Sequence, residues 1–375
     1  MKEGYCDFDI NDFDLNSELE KLQMDIQKPN ILVCGGTGVG KSSLINNIFG
    51  KEVAEIGHGV PLTRGIKKYS STDTSVNLYD SEGYETGSER QSYYENNILS
   101  ILNENAAVEE KIHEVWYCIS AANKRIFDID QKMICTIKDK GIPVTAVLTQ
   151  IDGVDEIELT SLILSLRQID SNLKYFTYCT LEDSNLEEYI QRDELIRWSL
   201  DQLPEALKAG FISSVYGALE EKKEYVKNVV IRDAVAQALA AVYVPIPGSD
   251  ALLLAPIQMR MVSKIIKTYG TDKVASLTTS LLESQVMSYV GKNLSKAVLG
   301  SMFKFIPGIG TGVSNVINSG IATIMTKSLG EAMSQMCYKY SNARLRGEDV
   351  ELVKYFNPET ISDLIETIRL AMQNQ

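Results

Sequence analysis

The sequence predicts an α/β domain, with a mainly parallel sheet covered on both faces, followed by an all-α helical domain. Three observations carry this. Between Asn30 and Thr180 short apolar runs alternate with amphipathic stretches, a glycine-rich turn joins the first run to the first helical stretch, and from about Leu203 onward the strand-like runs stop. Regular alternation of strand and helix is the pattern of a parallel sheet whose crossovers are helices.

The chain opens on an acidic lead, residues 1–29, which either forms a short amphipathic helix from Leu15 to Ile26 or stays unordered. It lacks the basic start and apolar centre of a secretory signal. "NILVCGG" then reads as a buried strand, and "KSSLINNIFG" spaces Leu44, Ile45 and Ile48 as a helix does. Further strands are expected at Ser75–Asp80, Glu114–Ser120, Pro143–Gln150 and Lys174–Thr180, with helices at Arg90–Leu102, Asp128–Lys140 and Ile157–Leu166 between them. The first domain is thus expected over 30–202.

Residues 203–375 read as helical, beginning with one or two long helices up to Tyr243. Inside this part, 246–270 and 306–330 align without gaps at an offset of sixty, pairing Pro247 with Pro307, Gly248 with Gly308, Lys267 with Lys327 and Gly270 with Gly330. Such an echo predicts a duplicated helical unit.

Composition narrows the function classes. At 375 residues the chain is long for one core. A formal charge of -13 and a pI near 4.9 speak against a DNA or RNA partner, which needs a basic face. Six scattered cysteines without a C-x-x-C pair, and only two histidines, read as reduced core thiols of a cytoplasmic protein. No run of about eighteen uncharged apolar residues predicts a spanning helix. The apolar stretches broken by Pro-Gly in the helical part suit a bundle core, or paired half-helices dipping into a bilayer at its periphery, although no polybasic flank accompanies them.

The chemistry is concentrated early. Gly35-x-x-x-x-Gly40-Lys41-Ser42 fits the phosphate-binding P-loop pattern, set between a strand and a helix. Gly35, Gly36, Thr37, Gly38, Val39 and Gly40 form the turn, whose glycines let successive N–H groups face one phosphate, and the helix start adds its positive end through Ser43. Lys41 is expected to bridge the β and γ phosphates and Ser42 to bind Mg²⁺. Asp80 ends a strand three residues before Gly83. In that D-x-x-G order the carboxylate reaches Mg²⁺ through water and the glycine N–H meets the γ-phosphate. "Thr149-Gln150-Ile151-Asp152" ends another strand and is close to the [N/T]-K-x-D signature, in which the aspartate accepts two hydrogen bonds from guanine that adenine cannot offer.

On these motifs the chain resembles the Era-like P-loop GTPases of the translation-factor class from about Asn30 to Ser184. Its two-part plan is similar to bacterial members with a C-terminal helical domain of unknown function and to the immunity-related GTPases of animals. The resemblance implies GTP and GDP as ligands, Mg²⁺ as cofactor, and a catalytic set of Lys41, Thr63 and Gly83. Thr63, in "GVPLTRG", stands where the family's switch threonine joins Ser42 and Asp80 around the metal, and Cys179, Thr180 and Leu181 stand where the base is backed. Two departures are plain. Gln150 replaces the usual lysine, which predicts weaker nucleotide binding, and Tyr84 occupies the position of a water-orienting glutamine, which predicts slow solitary turnover. His58, Arg64, Glu82 and Glu85 are the alternative water-orienting groups. Gly38 stands where some relatives carry a cation-binding asparagine, so potassium activation by that route is not expected. The implied protein is a GTP-binding and GTP-hydrolysing switch that forms a homodimer or homo-oligomer on GTP and relays its state to helices engaging a protein or membrane partner. The alternatives are a GTP-dependent self-assembling protein and a GTP-binding module with negligible hydrolysis.

Overall fold

The computed structural model describes residues 14–50, 60–63, 65–70, 74–85, 89–102, 110–180, 186–242, 250–271, 314–348, 355–356 and 363. The chain divides into two compact units, Ile26–Ala218 and a second made of Met1–Asp25 with Leu219–Gln375. Gly217 and Ala218, at the division, both take left-handed φ angles of 68° and 46°.

The first unit is built on a seven-stranded sheet in the order β2-β3-β4-β1-β5-β6-β7. The strands are β1 (Asn30–Gly35), β2 (Val60–Thr63), β3 (Ile66–Tyr69), β4 (Asn77–Ser81), β5 (Glu114–Ser120), β6 (Val144–Thr149) and β7 (Tyr175–Thr177). From β4 to β7 every pairing is parallel, while β2 and β3 join as an antiparallel hairpin at one edge. Every residue of β1 and β5 is buried, as expected of central strands covered on both faces. The sheet matches the expected fold class.

The β2–β3 hairpin is not expected from the sequence. Its strands are four residues each, and Pro61, Lys67 and Lys68 erase the apolar pattern that marks a strand. A proline is tolerated in β2 because that strand lies at the sheet edge. At the opposite edge β7 stops at Thr177, short of the expected Thr180, where the Thr177 N–H turns to Gln191 Oε1 at 3.2 Å and the Gln191 N–H to the Thr177 carbonyl at 2.8 Å.

Helices cover both faces. On one, α3 (Glu89–Ile101) and α4 (Asp128–Asp139) bury Ile98, Ile129, Met133 and Ile137 against Leu32, Cys34, Tyr117 and Ile119. On the other, Phe49 of α2 (Lys41–Phe49) stacks on Trp116 with ring centroids 5.8 Å apart, and Phe211 meets both rings edge-on. α5 (Glu156–Ile169) starts in a reciprocal capping box, with the Glu158 N–H on Asp155 Oδ1 at 2.8 Å and the Asp155 N–H on Glu158 Oε2 at 3.2 Å. The unit continues through α6 (Arg192–Gln202) and α7 (Glu205–Ser214), the helix that carries Phe211.

The second unit contains α1 (Leu15–Asp25), α8 (Leu219–Tyr225), α9 (Arg232–Val242), α10 (Asp250–Tyr269) and α11 (Ser314–Leu345) among the described residues. A π-helical segment, Val226–Ile231, links α8 to α9 and turns Val226, Val230 and Ile231 inward. Buried polar pairs cross the core: Gln258 Nε2 on Thr326 Oγ1 at 3.2 Å, and Tyr269 with Ser334 at 3.0 Å. No helix among the described residues is long and apolar enough to cross a membrane. Both proposed repeat copies are helical where described, yet Gly270 ends α10 at φ 70° while its counterpart Gly330 lies inside α11. Residues 246–249 and 306–313 of the two copies lie outside the described residues.

Candidate nucleotide site

The sheet register brings four strand ends together. Val33 pairs with Asp80, Gly35 with Cys118, and Ser120 with Thr149, so the carboxyl ends of β4, β1, β5 and β6 stand side by side. In open α/β sheets this is the edge that receives ligands.

The turn after β1 depends on its glycines. Gly35 has φ 141° and its Cα lies so close to β5 that a Cβ would sit 2.1 Å from the Cys118 carbonyl oxygen. Gly38 and Gly40 take φ 72° and 90°. Gly40 precedes α2 without a side-chain cap, so the first helical amides and the helix's positive end face the concavity of the turn.

Lys41 and Ser42 tie this turn to its surroundings. The Lys41 side chain is buried and its Nζ donates to the carbonyls of Gly36 at 2.7 Å and Gly35 at 3.3 Å. The Ser42 hydroxyl donates to Asp80 Oδ2 at 3.0 Å, and Asp80 Oδ1 is buried without a hydrogen-bond partner among the described residues. Burial pushes the Asp80 carboxyl above its ordinary value, against the pull of the Lys41 ammonium and the Ser42 hydroxyl. An all-oxygen pair with one orphaned carboxylate oxygen fits a hard cation such as Mg²⁺. Thr63 ends β2 and pairs with Ile66. His58 and Arg64 lie outside the described residues.

The D-x-x-G segment lies directly on the turn. A Cβ on Gly83 would stand 2.2 Å from the Thr37 nitrogen, and the Thr37 N–H donates to the Tyr84 carbonyl at 3.0 Å. The Tyr84 ring is buried edge-on to Tyr94, and its hydroxyl donates to Asp130 Oδ1. Glu82 and Glu85 are exposed.

On the other side, Thr149 Oγ1 donates to the Val39 carbonyl at 2.5 Å, fixing β6 to the turn. Gln150 takes a left-handed φ of 55°, donates Nε2 to the Gly38 carbonyl at 3.1 Å, and accepts the Ser120 hydroxyl at Oε1. Asp152 is exposed on the short 3-10 turn Ile151–Gly153. Cys179 is buried and Thr180 exposed just past β7, while Ser43 is exposed in the first turn of α2. Leu181 lies outside the described residues. Two residues in this constellation, Ser120 and Asp130, are not singled out by sequence reasoning. Each is one polar residue near a strand or helix end, and their partners are 30 and 46 positions away in the chain.

The family described as "50S ribosome-binding GTPase" matches residues 30–150. The EngB GTP-binding protein of Wolbachia sp. subsp. Brugia malayi is 30% identical over 160 residues, which cover 39% of this chain and 80% of that protein. The chain belongs to the EngB-like family of P-loop GTPases. EngB of Aquifex aeolicus is 27% identical over 143 residues, 37% of this GTPase and 75% of that protein. Magnetosome membrane protein 22 of Magnetospirillum gryphiswaldense is 33% identical over 108 residues, 29% of this GTPase, which thus spans only 55% of that relative's length. Among solved structures, an EngB crystal structure aligns at 19% identity and TM-score 0.32, covering 45% of this GTPase and 99% of that chain. Era in complex with MgGDPNP and a segment of 16S ribosomal RNA aligns at 19% identity and TM-score 0.33, covering 48% and 58%.

Proposed function

We propose that the strand-end site binds GTP and GDP with Mg²⁺ and hydrolyses GTP slowly, as a molecular switch. The observation that carries this reading is the Ser42–Asp80 contact at 3.0 Å, at the foot of a glycine turn that also holds the buried Lys41 ammonium. The amides of the turn from Gly35 to Gly40, other than that of Thr37, which donates to the Tyr84 carbonyl, hold the phosphates with Lys41 and Ser43. Ser42, Thr63 and Asp80 are the residues that would hold Mg²⁺, which would supply charge neutralisation at the phosphate oxygens. The Gly83 N–H meets the γ-phosphate. Asp152 accepts from guanine, flanked by Thr149, Gln150, Cys179 and Thr180. The site then works by positioning and charge stabilisation while water attacks in line.

The slow rate rests on Tyr84. Its hydroxyl is committed to the buried Asp130, so the group that orients water in relatives with glutamine here has no equivalent at this position. That favours a second reading in which GTP-driven self-association, or a partner, completes the site. The helical unit is then the recipient of the nucleotide signal, and the likeness to a magnetosome membrane protein makes a membrane surface the first partner to test.

Calorimetry with GTP, GDP and ATP, with and without Mg²⁺, tests the core of this proposal. GTP and GDP are expected to bind in a Mg²⁺-dependent way, ATP far more weakly, and Lys41→Ala is expected to abolish GTP binding. ATP binding as tight as GTP overturns the role of Asp152. A specific GTPase rate independent of protein concentration removes the self-association reading, and no phosphate release above the Lys41→Ala control at any concentration removes hydrolysis.

A further inference from the structure

Residue 84 is held from two sides. Its carbonyl accepts the Thr37 N–H of the phosphate turn at 3.0 Å, and its phenol donates to Asp130 Oδ1 at the start of α4. Asp130 is itself buried and fixed: it also accepts the Tyr117 hydroxyl at 3.0 Å, and its other oxygen takes the Phe127 N–H at 3.0 Å. The Tyr84 ring packs edge-on against Tyr94 at 5.3 Å. Gly83 immediately precedes this doubly anchored residue, with so little room against Gly36 and Thr37 that even a methyl group would collide with their backbone.

A loop peptide that must present its N–H to a phosphate gains from being fixed beforehand, because the ordering cost is then met in folding rather than in binding. Asp130 lies outside the phosphate and base motifs, so its effect runs through Tyr84. We propose that Asp130 is a positioning residue which, through the Tyr84 hydroxyl, holds the Gly83 N–H in place for the γ-phosphate and so sets the preference of the site for triphosphate over diphosphate. This rests on the reading of the site as a GTP site. It gives Tyr84 a task in nucleotide discrimination rather than in water activation.

The test is the ratio of GTP to GDP affinity, measured by calorimetry on the full chain with a slowly hydrolysed GTP analogue and with GDP. Tyr84→Phe removes one hydroxyl and keeps the ring, so its Tyr94 contact and fold are retained. Its GDP affinity is expected to stay at the wild-type value while triphosphate affinity falls about fivefold or more, the scale of one ordinary hydrogen bond. Asp130→Asn keeps an acceptor oxygen for the phenol while setting an amide donor against the Phe127 N–H, so it is expected to lose some stability yet retain most of the ratio, whereas Asp130→Ala is expected to reproduce Tyr84→Phe if it folds. An affinity ratio unchanged in Tyr84→Phe, or equal losses for both nucleotides, overturns the positioning role while leaving the GTP site intact. Wild-type protein that binds neither nucleotide overturns both readings together.

Discussion

Gln150 spans the phosphate turn to Gly38: its amide nitrogen donates to the Gly38 carbonyl at 3.1 Å while its amide oxygen accepts the Ser120 hydroxyl. A lysine at this place would make the first bond and not the second. The glutamine therefore keeps the mechanical tie between β6 and the turn without the charge.

This divides the expected effects of substitution at residue 150. Gln150→Ala loses both bonds and is expected to weaken GDP binding by about 1 kcal/mol, roughly fivefold. Gln150→Lys retains the bond to the Gly38 carbonyl, strengthens it by charge, and offers the Ser120 hydroxyl a donor in place of an acceptor. It is expected to bind GDP at least as tightly as wild type. Calorimetric titration with GDP decides this; a Gln150→Lys protein weaker than Gln150→Ala would show that the amide geometry itself is required.

The glycines of the turn are expected to differ sharply. At Gly35 an added Cβ meets the Cys118 carbonyl oxygen at 2.1 Å, and the φ of 141° is itself closed to alanine. The obstacle is backbone of the central strand, so it cannot swing aside. Gly35→Ala is expected to cost several kcal/mol or to prevent folding. At Gly38 the φ of 72° is left-handed but nothing lies within 4 Å of the added atom. Gly38→Ala is expected to cost only about 1 kcal/mol, the conformational part alone. Urea unfolding midpoints of the two variants measure the difference, and equal midpoints would contradict it.

The same contrast explains what was legible in the sequence. The P-loop turn, the four central parallel strands and the helices α2 to α5 all announce themselves through local patterns: glycine spacing, apolar runs, 3.6-residue periodicity. The β2–β3 hairpin does not, because its strands are only four residues each and Pro61, Lys67 and Lys68 leave no apolar alternation to mark them, while the antiparallel pairing of β3 to β4 carries no local signal. Ser120 and Asp130 were equally silent. Their importance arises from residues brought near by the fold, and a lone serine at a strand end or aspartate in a first helical turn carries no such information by itself. Tyr84 was visible as a departure from a motif, but the carboxylate that occupies its hydroxyl was not.

In the second unit the packing of α11 rests on a glycine. A Cβ at Gly330 would meet Ile231 Cγ1 at 2.8 Å and Met261 Sδ at 3.0 Å, so α11 approaches the π-helical segment and α10 closely there. Alanine gains about 1 kcal/mol in helix propensity, which offsets part of the crowding. Gly330→Leu adds volume that the site cannot take, and is expected to destabilise this unit by about 1–3 kcal/mol. The corresponding change at Gly270 has open space around it. Circular dichroism melts are expected to show a lowered transition for Gly330→Leu, and an unchanged melt would mean that the helices part without cost.

Glu114 supplies the pH dependence. It is fully buried at the start of β5, where Oε1 accepts the Trp116 indole N–H at 3.1 Å and Oε2 has no hydrogen-bond partner among the described residues. Burial pushes its carboxyl up from 4.5 to about 8, only partly opposed by hydrogen bonds from Ser199 and Trp116. Between those two values the folded chain keeps a proton that the unfolded chain has released. Unfolding then releases a proton, and stability falls as pH rises through this range, becoming flat above about 8. Glu114→Gln holds the neutral hydrogen-bonding pattern at every pH. It is expected to match wild type near pH 5 and to exceed it by a few kcal/mol at pH 8, an order-of-magnitude figure set by the size of the shift. Denaturant unfolding of both proteins across that range is the measurement. Parallel curves would mean that the folded protein ionises Glu114 without penalty, through water or a rearrangement of Ser199, and that its burial carries no linkage to folding.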